Sequence, residues 1–90
     1  MEDDEEEGEL KYDNGGNIIW EDNNGRPHRI NGPAITYSDG DTFWMRHGKI
    51  HRDDGPARIW VSAGVEAWYK HGQPYEPSAH EIMVWKMKKK

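Results

Sequence analysis

Short apolar clusters recur along this chain, each closed off by glycine, asparagine, aspartate or serine. Asn17-Ile18-Ile19-Trp20-Glu21, Ala34-Ile35-Thr36-Tyr37, Asp41-Thr42-Phe43-Trp44-Met45-Arg46 and Ala57-Arg58-Ile59-Trp60-Val61 are aromatic and β-branched in character, and they read as strands. Ser38-Asp39-Gly40 makes one hairpin turn and Ser62-Ala63-Gly64 a turn one residue longer. Gly16-x-x-x-Trp20, Gly40-x-x-x-Trp44 and Gly64-x-x-x-Trp68 each lead into a second kind of turn, Asn24-Gly25, His47-Gly48 or His71-Gly72. Asn-Gly favours a tight hairpin because both central residues take positive φ, and histidine tolerates that region better than most residues. His47 and His71 are therefore expected as turn residues.

The clusters belong to a written-out repeat. Gly25-Arg26-Pro27-His28-Arg29-Ile30-Asn31-Gly32-Pro33-Ala34 aligns with Gly48-Lys49-Ile50-His51-Arg52-Asp53-Asp54-Gly55-Pro56-Ala57, giving G-x-x-H-R-x-x-G-P-A. Self-similarity at a period near 23 residues marks stacked units that form one continuous core. The organisation expected is an acidic arm over 1–10, a β domain over 11–77, and a helix with a basic tail over 78–90. The β domain divides into a half unit 16–24, unit one 25–47 and unit two 48–71, the half unit capping one end. Ser78-Ala79-His80-Glu81 fits a capping box, and Ile82, Met83, Trp85 and Met87 follow in a run free of Gly and Pro. A short helix should form there as the second cap, because alone it would not persist in water.

Composition adjusts this picture in three ways. Ninety residues make one small domain of modest stability, and five tryptophans and four tyrosines predict a small aromatic core. The absence of cysteine excludes disulfide staples and points to a reducing compartment. No apolar run approaches the roughly 20 residues of a membrane span, and the acidic start is unlike a secretory signal, so a cytoplasmic protein without membrane contact is expected. The net charge of −5 hides an uneven spread: Met1 to Glu9 holds seven acids, Glu81 to Lys90 holds four lysines and one acid, and the middle is nearly neutral. The arm that includes Asp3, Asp4, Glu5, Glu6 and Glu7 should stay solvated, serving either solubility or contact with a basic partner surface.

His28-Arg29 and His51-Arg52 invite a metal or catalytic reading, but Ile30-Asn31 replaces Asp53-Asp54 in the first copy, so the acids do not recur. A pair present once per unit more readily solves a structural problem. Gly55 is expected at positive φ, Pro56 at the entry to the next strand, and the Arg52 fork on carbonyls left over at the bend. The corresponding residues of unit one are Gly32, Pro33 and Arg29, and the histidines are expected to donate to the neighbouring unit. No catalytic residue, metal ligand or cofactor is assigned.

Tandem H-R-x-x-G-P-A units, each followed by a D-G turn and a tryptophan, resemble the MORN-like repeat proteins of bacteriophages and large DNA viruses over about Gly16 to Gly72. The resemblance implies a mainly β fold, a single-layer twisted antiparallel sheet of tandem hairpins with the helix appended. It also implies no enzymatic activity and a role in binding. The chain departs from the classical pattern, which opens each unit with Y-x-G, so lipid roles do not transfer. Tyr37, Trp44, Arg46, Trp60 and Trp68, with the acidic arm, are the candidate partner-binding residues, since a thin sheet cannot bury both faces. The expected function is a phage-encoded inhibitor that blocks a surface of a host defence enzyme or nuclease in the host cytosol, as a monomer or small homo-oligomer. The alternatives are nucleic-acid binding through stacked aromatics, which the net negative charge disfavours, and a homo-oligomeric structural protein joined through sheet edges.

Overall fold

The computed structural model describes residues 8–88; Asp3, Asp4, Glu5, Glu6 and Glu7 lie outside the described residues. The fold is mainly β and antiparallel throughout, with one short helix at its C-terminal end. Six strands form the main sheet in the order β1 (Glu9–Tyr12), β2 (Ile18–Glu21), β3 (Ile35–Thr36), β4 (Thr42–Phe43), β7 (Arg58–Trp60) and β8 (Val65–Ala67). Two ribbons, β5 (Met45–Arg46) with β6 (Lys49–Ile50) and β9 (Tyr69–Lys70) with β10 (Gln73–Pro74), stand apart from it.

The strand expected over Asp41 to Arg46 is therefore interrupted at Trp44, and Trp68 interrupts the next in the same way. At each break the chain leaves the main sheet for a second row of tight hairpins. The Trp44 amide still donates to the Ala57 carbonyl at 2.6 Å, while the Trp44 carbonyl accepts from the His51 amide at 2.9 Å. The second row is bonded unit to unit: Gly48 N–H to Pro27 O and Arg29 N–H to Met45 O, then Gly72 N–H to Ile50 O and Arg52 N–H to Tyr69 O. His47 and His71 sit at φ 49° and 54° in the turns, as their place before glycine requires.

Three expectations need correction. Glu9 and Leu10, assigned to the arm, open β1 and pair with Glu21 and Trp20. The fully enclosed residues are small or polar rather than aromatic: Ala34, Ala57, His28 and Pro56, with His51 at 6% exposure. Two thin rows cannot enclose an indole, so the rings are half-buried, and Trp20, Trp44 and Trp60 are roofed by arginine. Gly55 and Gly32 do not have positive φ; what demands glycine there is proximity. A Cβ on Gly32 would lie 2.8 Å from the Arg29 guanidinium carbon, and one on Gly55 2.9 Å from that of Arg52.

Helix α1 (Ala79–Lys88) starts in the expected capping box, with Ser78 N–H donating to Glu81 Oε1 at 2.8 Å and Glu81 N–H to Ser78 Oγ at 3.1 Å. It packs beside unit two, where Trp85 lies against Gly55 and Arg52.

Candidate functional site

The crossovers that return the chain from the second row to the main sheet are the H-R-x-x-G-P-A segments. In each, the histidine Nδ1 accepts the backbone N–H of the following turn histidine: His28 from His47 at 3.0 Å and His51 from His71 at 2.9 Å. The rings lie close as well, His28 on His47 at 3.9 Å and His51 near His71 at 4.5 Å between centroids. The histidines thus accept from the turn that closes their own unit, rather than donate to the neighbouring one. An accepting Nδ1 leaves the proton on Nε2, and His51 Nε2 meets Asp53 at 2.9 Å. Burial pulls the His51 pKa below the ordinary imidazole value, and Asp53 opposes the shift. Asp53 also lies 3.9 Å from Arg46.

Each arginine roofs the tryptophan of the preceding unit, Arg29 over Trp20 at 4.3 Å and Arg52 over Trp44 at 3.7 Å. Arg52 also donates to the Pro56 carbonyl at 3.2 Å and to Asp54 at 3.1 Å, so the expected bracing of a bend carbonyl is present. Burial lowers its pKa, partly offset by Asp54. Trp85 closes the other side of the guanidinium at 4.7 Å. A cleft of about 280 Å³ runs between the units, lined by Ile30, Asn31 and Trp44 on one side and Arg52, Asp53 and Asp54 on the other. These side chains brace one another. Among the described residues, no group of three or more His, Cys, Asp and Glu is placed to hold a metal ion.

The aromatics selected from sequence are distributed rather than gathered. Trp44 lies under Arg52, Trp60 packs with Phe43 and Arg58, and Trp68 meets Tyr75 edge-on. Tyr37 is exposed beside Phe43. Two residues not selected prove central. Arg58 sits among Phe43, Trp60 and Tyr69. Tyr75 takes the place of the repeat histidine, its N–H donating to the Trp68 carbonyl at 3.1 Å, and Gly72-Gln73-Pro74-Tyr75 aligned with Gly48-Lys49-Ile50-His51 is the signal that could have found it.

Helix α1 presents two stripes. Glu81, Val84, Trp85 and Lys88 face the β domain: Glu81 pairs with Lys70 at 3.7 Å, Lys88 with Asp54 at 3.4 Å, and Val84 shares a small cavity with Trp68 and Asp54. Ala79, Ile82, Met83, Lys86 and Met87 line a shallow surface groove on another stripe, with Met83 54% and Met87 67% exposed. The more apolar stripe is the one the β domain leaves uncovered.

The arrangement defines a small mainly β protein with a docked helix, whose distinctive chemistry is stacked arginine and paired histidine at each crossover. No protein-family model, curated protein or solved structure matches the chain. Among the described residues no helix is long and apolar enough to cross a membrane.

Proposed function

We propose that this chain is a non-enzymatic protein-binding module that docks through the uncovered stripe of α1. One observation carries the reading: Met83 and Met87 are exposed on a helix whose opposite stripe holds two ion pairs. Methionine adapts to irregular apolar surfaces, and Ala79, Ile82, Met83 and Met87, at i, i+3, i+4 and i+8, share one stripe, the kind of face that a helix lays into a groove. A ten-residue helix is only about 15 Å long, so a partner that wraps it suits better than a flat one. Lys86 on the stripe calls for carboxylates on the groove rim. The partner is a protein with an apolar groove edged by acids.

The finer reading, a phage-encoded inhibitor that blocks a host defence enzyme or nuclease in the host cytosol, rests on the resemblance of the repeat to MORN-like viral proteins. The test is capture from host lysate with the native chain and with a Met83→Asp/Met87→Asp variant of equal melting temperature. A partner retained by the native chain and lost by the variant is expected. No enriched partner, or equal retention by both, overturns the docking site; light scattering on the purified chain separates self-association.

A further inference from the structure

We propose that the second row of hairpins forms a binding site for a small, multiply charged phosphate anion, independent of the α1 surface. A concavity of about 470 Å³ opens across the turns, and its lining consists of Arg26, Arg46, His47, Lys49, His51 and His71. Every lining residue is arginine, lysine or histidine, in a chain of net charge −5. The volume falls within the range of small-molecule sites, about 300–1,000 Å³.

The repeat builds this convergence. Arg26 and Lys49 hold the same place in their units, after the turn glycine, and each lays its stem along the turn of the next hairpin. A Cβ on Gly48 would stand 3.5 Å from Arg26, and one on Gly72 3.8 Å from Lys49. Strands spaced about 4.8 Å apart bring the cations of successive hairpins to one ligand. The nearby carboxylates stand outside the lining. Asp22 holds Arg26 at 3.0 Å and His47 at 2.7 Å, while Asp53 holds His51 at 2.9 Å and lies 3.9 Å from Arg46. They fix the side chains and temper the charge without occupying the concavity.

Compact phosphates suit such a site better than an extended carboxylate chain. Two guanidinium forks match the geometry of phosphate oxygens, and a concave, single-sign surface focuses a small anion of high charge. The turn histidines add ring nitrogens at the rim. No bond is made or broken; the proposal is one of binding.

The experiment is a titration of the full chain with inorganic pyrophosphate, followed by calorimetry and by amide and imidazole chemical shifts. Saturable binding is expected, with shifts concentrated at residues 26, 46, 47, 49 and 71, and weakening as sodium chloride is raised. Arg26→Gln/Lys49→Gln should weaken it at least about tenfold, about 1.4 kcal/mol, with little change in melting temperature. Lys86→Gln/Lys88→Gln should leave it unchanged. Absence of saturation at millimolar pyrophosphate, binding that survives the first pair, shifts centred on α1, or tighter binding of a tetraglutamate peptide would each overturn the proposal. The methionine variant of α1 should bind pyrophosphate normally, so failure of one site does not decide the other.

Discussion

Unit one and unit two build the same crossover from the same five residue types, yet they carry different loads. In unit one, Arg29 roofs Trp20 and its guanidinium passes over Gly32, with Ile30 and Asn31 between. In unit two, Arg52 is held between Trp44 and Trp85, bonded to Pro56 and Asp54, and Gly55 lies beneath both the guanidinium and the Trp85 ring. His, Arg, Gly, Pro and Ala therefore form the bend itself, while the two variable positions decide what attaches to it. Asp54 receives Lys88 of the helix; Asn31 occupies the matching position in unit one.

The largest test of this difference is removal of the arginine. Arg52→Ala deletes two cation–π contacts, worth about 0.5–2 kcal/mol each, and leaves the Pro56 carbonyl without this donor. A loss of about 3 kcal/mol is expected, or roughly 12–24 °C in melting temperature. Arg29→Ala, which deletes the stack on Trp20 at 4.3 Å, should cost about half as much. Calorimetry on the two variants decides, and equal losses would erase the distinction between the units.

Next in size is the glycine pair. A Cβ at Gly55 meets the Arg52 guanidinium carbon and Trp85 Cε3, each at 2.9 Å, whereas at Gly32 the three nearest atoms all belong to the mobile end of Arg29. Gly55→Ala should cost about 2 kcal/mol by overpacking and loosen α1, visible as lost helical ellipticity. Gly32→Ala should cost about 1 kcal/mol or less by the same effect, with the helix intact. A larger loss at Gly32 would show that the side chain, not the docked ring, sets the limit.

Much of this fold is legible in the chain because the signals are local. Gly25, Gly48 and Gly72 take positive φ, the capping box starts α1, and the repeat places the crossovers in series. What the sequence left hidden involves contacts between distant segments. Gly55 is marked as glycine, but its reason is a ring contributed from 30 positions further along. Alternation along Asp41 to Arg46 carries no sign that Trp44 would hand the chain to a second row. The basic concavity draws Arg26, His47, Lys49 and His71 from three hairpins, and its cations are diluted by acids until the turns bring them together.

A third test uses protons. Burial holds the His51 pKa below its unfolded value of 6.5, so the unfolded chain binds more protons in the window between the two values. Stability is complete above about pH 6.5 and falls as pH drops through that window towards the folded-state pKa. Protonation also removes the Nδ1 acceptor from the His71 amide. His51→Gln should be less stable at pH 7.5 by about 1–2 kcal/mol, from the lost buried hydrogen bonds, and should show a flatter profile between pH 7 and 5. An unchanged slope in urea-unfolding free energy would mean that other groups carry the acid sensitivity.

The smallest effect isolates the variable position itself. Asp54 is half exposed and meets Arg52 at 3.1 Å and Lys88 at 3.4 Å; burial raises its pKa, but Arg52 and Lys88 together hold it below the ordinary carboxylate value. Asp54→Asn keeps the shape and removes the charge. Exposed ion pairs contribute about 0.2–1 kcal/mol, so a loss near 0.5 kcal/mol, shrinking in high salt, is expected, with Trp85 still stacked. Installing the unit-two charge in unit one by Asn31→Asp supplies the converse, since the helix lysine that meets Asp54 is held at unit two. Stability should then stay within about 0.5 kcal/mol of the parent, the usual range for surface changes. If Asp54→Asn instead releases the helix, the ion pair and not the ring anchors α1, and Gly55 loses its place as the reason the two units differ.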